Sequence, residues 1–209
     1  MKRIKIDLKN YTAEEAKAIA EEISAGKVVV LPTDTIYGLS AIVTDKTAIR
    51  KIYRIKKRKP EQQKHLILLV KSFCMVRRYC YLSPKQYNYL KERWTENKRA
   101  LTVILRGRKD YLHKRGIDLP EIISADDGLA VRRPNSKFLL ALLKEVDEPI
   151  VSTSLNITGK PDLKNLSKID DYFTDVKPDI IVDAGVLPKR KPSRLEDLRD
   201  MENIKIFRK

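Results

Sequence analysis

The apolar positions of this chain fall into short bursts with two rhythms. Ala16, Ile19, Ala20 and Ile23 recur at helical spacing behind a capping-box pair, Thr12 and Glu15, and Gly26 is placed to stop that helix. VVVL at 28–31 is a β-branched run that reads as a buried strand, and the PTDTIYGLS that follows reads as a turn. Thr44 or Asp45 caps a second helix with Ile49, Ile52, Tyr53 and Ile55 inward, and Pro60 limits it near Lys59. LILLV at 66–70, LTVIL at 101–105, GLAVR at 128–132, PIVSTS at 149–154, DIIVD at 179–183 and IKIF at 204–207 read as further strands. Ser83-Pro84 opens a helix through Tyr87, Leu90 and Trp94, since proline suits the first helical position. Phe138, Leu139, Leu142, Leu143 and Val146 make another, capped by Asn135 or Ser136, and a short one is expected near 168–174. The stretch 107–127 is polar. Helices alternating with strands predict an α/β fold, and no linker or repeat divides it, so residues 1–209 read as a single domain.

Charge changes the picture more than composition does. Lys and Arg number 44 against 28 Asp and Glu, a formal net charge of +16. That balance points to polyanionic partners such as nucleotides or RNA, or else to a lysine-rich solvated surface. Two cysteines exclude a disulfide framework, and two histidines argue against a His-based metal cage. The charged start MKRIKIDLKN has no apolar core of a signal peptide, and no segment approaches a membrane span, so a cytoplasmic protein is expected.

The usual phosphate cradles are missing. There is neither G-x-x-x-x-G-K-[ST] nor G-x-G-x-x-G, and the chain has only seven glycines. Side chains would have to hold any phosphate: Lys and Arg by charge, Ser and Thr by hydroxyl. Five segments offer such groups. Thr33-Asp34-Thr35-Ile36-Tyr37 leaves the first buried strand, although its hydroxyls and carboxylate could equally bond their own turn. Seven cations lie within residues 50–59, among them Lys56 and Arg58; a solvated helix face is the alternative. Arg132-Arg133 ends a strand, and arginine is the natural bidentate partner of carboxylate or phosphate. Ser152-Thr153-Ser154-Leu155-Asn156-Ile157-Thr158 carries four hydroxyls and an amide at another strand end. Lys191-Pro192-Ser193-Arg194 is a basic loop with one more hydroxyl. Together they suggest a cleft for an anionic ligand.

The ordered set PTDTIYGL, K-x-R at Lys56 and Arg58, LTVIL, AVRRP, STSLNITGKP, VDAG and Pro192-Ser193 resembles the YrdC-like family across nearly the whole chain. The resemblance implies an open, twisted mixed α/β sheet with helices and a concave, positively charged cleft. It also implies the activity of the family's characterised members. These are threonylcarbamoyl-AMP synthases, which join L-threonine, bicarbonate and ATP into threonylcarbamoyl-adenylate, release pyrophosphate and usually need Mg2+. Their product serves threonylcarbamoylation of tRNA adenosine 37, so tRNA or a tRNA-modifying transferase complex is an implied partner. Position by position, Thr35, Arg132 and Ser193 match groups around the threonine. Lys56, Arg58, Ser152, Ser154, Asn156 and Arg208 match groups around ATP. Asp34 is a candidate orienting or magnesium-shell residue, and no general base stands out. Departures from the family pattern include Glu96-Asn97-Lys98-Arg99-Ala100 for a Pro-rich segment, His65 for a proline and Arg194 after Ser193. Two other readings stay open: a non-catalytic RNA-binding module of the same fold, and a paralogous branch with another small substrate.

Overall fold

Local capping sets the helices of the computed structural model, which describes residues 1–58, 65–95, 99–117, 119–163 and 165–208. At α1 (Ala13–Ser24) the Thr12 hydroxyl accepts the Glu15 N–H at 3.2 Å, and the Glu15 carboxylate accepts the Thr12 N–H at 2.8 Å. Asp45 caps α2 (Lys46–Ile55), Ser72 caps α3 (Phe73–Tyr79) and Ser136 caps α6 (Lys137–Val146), each accepting the N–H three residues on. Between them lie α4 (Pro84–Thr95) and α5 (Lys109–Lys114), and α7 (Ile169–Tyr172) follows one 3₁₀ turn.

The strands are β1 (Lys2–Lys5), β2 (Val29–Leu31), β3 (Gly38–Ile42), β4 (Ile67–Leu69), β5 (Leu101–Arg106), β6 (Gly128–Arg132), β7 (Ile150–Ser154), β8 (Ile180–Asp183), β9 (Arg194–Asp197) and β10 (Lys205–Arg208). They form one mixed ten-stranded sheet in the order β1-β8-β2-β3-β7-β4-β6-β5-β9-β10. β1/β8, β8/β2, β4/β6 and β5/β9 are parallel, and the other neighbours are antiparallel.

The two faces of this sheet are treated differently. On one, Val28, Val30, Leu39, Leu68, Val103, Val131 and Val151 join Ile49, Ile52, Met75, Val76, Leu90 and Leu112 from α2–α5 in a continuous core. On the other, Val29, Leu31, Ile42, Ile150 and Ile180 pack against α1 and α6 alone. Those two helices cover the β8-β2-β3 half. Beyond them the side chains of β4, β5, β6, β7 and β9 face a hollow.

Several elements escaped the hydrophobic pattern. β3 occupies part of the expected turn because β2 and β7 satisfy its backbone on both sides, while its Gly, Ser and Ala residues give no apolar signature. β1 (KRIK) and β9 (RLED) are charged strands. α3 and α5 are short helices that alternation alone passes over. α2 stops at Ile55, because Lys57 takes a left-handed φ of 46°. The expected stop at Lys59-Pro60 and residues 96–98 of the divergent segment lie outside the described residues. No helix among the described residues is long and apolar enough to cross a membrane.

Candidate functional site

The hollow is a cavity of about 730 Å3. Thr35, Lys56, Arg58, Arg132, Ser152, Ser154, Asn156, Ser193 and Arg208 all line it, although they come from six separate stretches of chain. Sheet register explains the convergence. Gly38 pairs with Ser154, Ile67 with Ser152, Leu69 with Arg132, Ala130 with Ile104 and Thr102 with Leu195. Alternate residues of adjacent strands therefore present one row of polar and apolar side chains to the open face.

At one end, Thr33 builds the turn that carries Thr35. Its hydroxyl donates to the Ile36 carbonyl at 2.6 Å and accepts the N–H groups of Thr35 and Ile36 at 3.1 and 3.2 Å. Arg132, 5% exposed, reaches this turn from β6. Its Nη2 donates to Asp34 Oδ1, its Nη1 to Thr35 Oγ1 at 3.4 Å, and its Nε has no hydrogen-bond partner. Burial pushes the Arg132 guanidinium below its ordinary value, and the Asp34 carboxylate opposes that shift. Asp34 itself is absent from the cavity wall. Its Oδ2 accepts the Asn135 N–H at 3.0 Å, and its carbonyl accepts from Arg190 Nη1 at 3.0 Å. It is the counter-ion behind Arg132.

Across the hollow, Arg208 Nε donates to the Ser193 carbonyl at 2.6 Å and Nη2 to Ser193 Oγ at 2.9 Å. Ser193 Oγ also lies 2.7 Å from Thr102 Oγ1, a fully buried hydroxyl on β5. Burial lowers the Arg208 pKa, repulsion from Arg132 lowers it further, and Asp162 acts the other way. Two guanidinium groups that repel across a hollow are relieved by an anion between them.

The other end is organised by Lys56, which is 1% exposed. Its Nζ donates to the carbonyls of Ser154 and Asn156 at 2.6 and 2.9 Å and to Asn156 Oδ1 at 2.8 Å. Ser154 Oγ donates to the same Oδ1 at 2.6 Å, and Asn156 Nδ2 closes the loop onto the Lys160 carbonyl at 2.7 Å. The ammonium therefore holds the Ser154–Asn156 loop in shape, while Arg58, stacked 5.0 Å over the Tyr53 ring, supplies a guanidinium to the wall. Between the ends, Ser40 Oγ donates to Ser152 Oγ at 3.2 Å, and Gly38 leaves room for it: a Cβ there would lie 2.7 Å from Ser152 Oγ. Tyr37 docks the Asp183-Ala184-Gly185 segment, donating to the Gly185 carbonyl at 2.7 Å and accepting the Ala184 N–H at 3.0 Å. Burial pushes its phenol up to about 12.

Sequence reasoning missed Thr102, Asp162, Phe207 and the partly exposed apolar floor of Ile67, Ile104 and Leu195. Thr102 left a trace, as the single hydroxyl in an otherwise aliphatic strand. Asp162 left none. Arg133, from the same motif as Arg132, turns away and donates to the carbonyls of Lys71 and Trp94 at 3.3 and 3.4 Å.

Comparisons with known proteins place this geometry. A protein of Hydrogenovibrio crunogenus named threonylcarbamoyl-AMP synthase is 30% identical over 190 residues, covering 90% of this chain and 96% of its own. The crystal structure of E. coli YciO superposes with a TM-score of 0.80 at 24% identity, over 100% of this chain and 94% of that one. The crystal structure of P. abyssi Sua5 complexed with L-threonine matches with a TM-score of 0.76 at 26% identity, over 94% of this chain and 54% of that longer one. The family profile described as "Telomere recombination", Sua5/yciO/yrdC, matches residues 21–209. With its mixed sheet, its open polar face and a match of that extent, this chain belongs to the Sua5/YciO/YrdC family.

Proposed function

We propose that this chain is a threonylcarbamoyl-AMP synthase, forming threonylcarbamoyl-adenylate and pyrophosphate from L-threonine, bicarbonate and ATP. The observation that carries the reading is the pairing of two anion-binding ends in one cavity. Arg132 and Thr35 form one end, Arg58 with the Lys56-held Ser154–Asn156 loop forms the other, and Ser193 with Arg208 faces Arg132 across the hollow. Two relatives support it: the H. crunogenus protein by its name and P. abyssi Sua5 by its bound L-threonine.

In this reading Arg132, which lines the cavity, meets the threonine carboxylate, with Asp34 fixing the guanidinium plane and Thr35 Oγ1 beside it. The threonine amine attacks the bicarbonate carbon; a C–N bond forms, water leaves, and a carbamate results. A carbamate oxygen then attacks the α-phosphorus and pyrophosphate departs. Arg58 and Arg208 neutralise charge on the phosphates, and Ser152 and Ser154 orient the nucleotide. The residues supply proximity and electrostatic stabilisation, with no covalent protein intermediate.

Magnesium, expected with ATP, finds no ready cage here. Both Asp34 oxygens are engaged, Asp162 is the one carboxylate on the described wall, and no group of three His, Cys, Asp or Glu side chains among the described residues can hold a metal. The ion belongs to the triphosphate in this reading, and no step is assigned to it. The product would pass to a tRNA-modifying transferase acting on adenosine 37.

Pyrophosphate release from ATP, with and without threonine and bicarbonate, tests the assignment. Release that requires both is expected; ATP turnover indifferent to either would defeat it.

A further inference from the structure

The stretch that carries β4 alternates between the two faces of the sheet. Leu66, Leu68 and Val70 enter the core beneath α2–α5, whereas His65, Ile67 and Leu69 line the cavity. Register fixes where the histidine stands. Ile67 pairs with Ser152 of antiparallel β7, so two residues back along the same face His65 comes level with Ser154. Arg132 is level with Leu69, at the far end of that row. His65 therefore belongs to the end of the cavity that Lys56 organises and Arg58 walls. Its ring is also oriented. Nδ1 lies 2.9 Å from the Pro120 carbonyl oxygen. A carbonyl oxygen only accepts, so Nδ1 carries the hydrogen and Nε2 is the nitrogen left for a ligand. Among the described residues Nε2 has no hydrogen-bond partner.

The charged groups on the elements packed about it are few. The end of α2 brings Lys56 and Arg58, the turn after Leu119 brings Glu121, whose carbonyl accepts the Leu66 N–H at 2.8 Å, and the loop after β7 brings Asp162 to the wall. The Lys56 ammonium is engaged by the Ser154–Asn156 loop, which leaves Arg58 as the guanidinium of this end. A triphosphate carries more charge than one guanidinium offsets. An imidazole that gains a proton at Nε2 supplies both a further N–H donor and a further positive charge, and it does so where the anion lies.

We propose that His65 is a phosphate-binding residue of the nucleotide site: held by Pro120 through Nδ1, it takes up a proton at Nε2 as the β- and γ-phosphates settle beside Arg58 and donates that N–H to a phosphate oxygen. The proton comes from solvent, stays on Nε2, and returns when pyrophosphate leaves. The inference rests on the nucleotide reading above and adds a residue to it. Titration calorimetry in two buffers of different ionisation enthalpy at neutral pH reads the proton uptake. The probes are ATP, pyrophosphate and AMP, which lacks the β- and γ-phosphates. H65N keeps an N–H donor for the Pro120 carbonyl and removes the distal nitrogen, while H65Q keeps a distal N–H that does not ionise. Both variants should lose the uptake that the parent shows with ATP and pyrophosphate. H65N should bind those two about tenfold more weakly and AMP as the parent does, and H65Q should lose less affinity. A buffer dependence equal in the parent and both variants would overturn the proposal. So would a loss of AMP affinity matching that of ATP, the mark of a purely structural role. Threonine-dependent pyrophosphate release is measured alongside. Proton-coupled ATP binding without that release would remove the reaction and leave His65; release with no proton linked to His65 would do the reverse; absence of ATP binding would remove both.

Discussion

Two buried cations in the same cavity have opposite employment. Lys56 delivers its ammonium to three oxygens of the Ser154–Asn156 loop. Arg132 is bound on one edge by Asp34 and leaves Nε without a partner on the other. A buried ammonium matched to neutral acceptors is a clamp on the backbone. A buried guanidinium held by one carboxylate, on a side chain that lines the cavity, is a charge kept in place for a ligand. The lesson is that burial of a charge does not by itself identify a binding residue; the account of its donors does.

The largest effect should come from Arg132→Ala. It strands the Asp34 carboxylate away from water, a loss of about 3–5 kcal/mol, and it should abolish threonine-dependent pyrophosphate release. Asp34→Asn keeps a neutral acceptor beside Arg132 and should retain more stability in urea unfolding than the alanine variant. Losses that add in a double-mutant cycle of the two variants would mean that the pair is not coupled.

Lys56→Met follows at roughly 3 kcal/mol, because three acceptors lose a charged donor at once. Its signature is a fall in melting temperature accompanied by a raised KM for ATP with the threonine KM little changed. A variant as stable as the parent but dead toward ATP would show that the ammonium serves the ligand directly.

Gly38→Ala places a methyl 2.7 Å from Ser152 Oγ and should cost about 2 kcal/mol through overpacking. Pairing it with Ser152→Ala should recover most of that loss in a double-mutant cycle.

The smallest effect is at Tyr37, where Phe removes both contacts to the Ala184–Gly185 segment, about 1.5 kcal/mol. Burial raises the folded-state pKa to about 12, above the ordinary 10, so the phenol's contribution is full below pH 10 and is lost as pH rises toward 12. Stability of the parent should fall across that window more steeply than that of Tyr37→Phe. Parallel curves would remove Tyr37 from the account.

Legibility in the sequence varied with chemistry. Strands built from aliphatic runs, such as β5 and β6, and helices with caps, such as α1 and α6, could be read from spacing. β1, β3 and β9 could not, since charged or small residues become strands only when neighbours satisfy their backbone. Within the site, the types of the residues were visible and their employment was not: Lys56 and Arg58 belong to one motif and both line the hollow, yet the ammonium of Lys56 is spent on the Ser154–Asn156 loop.

The chain by itself determined which segments would be strand and helix wherever burial leaves a periodic trace, and it determined the supply of cations and hydroxyls at strand ends. Only the folded sheet decided that residues as distant as Thr35 and Arg208 share one cavity, that Asp34 stands behind Arg132, and that Thr102 supports Ser193. The physical reason is that alternation along a strand is local. Strand order and register are settled by long-range pairing and by which half of the sheet α1 and α6 leave uncovered.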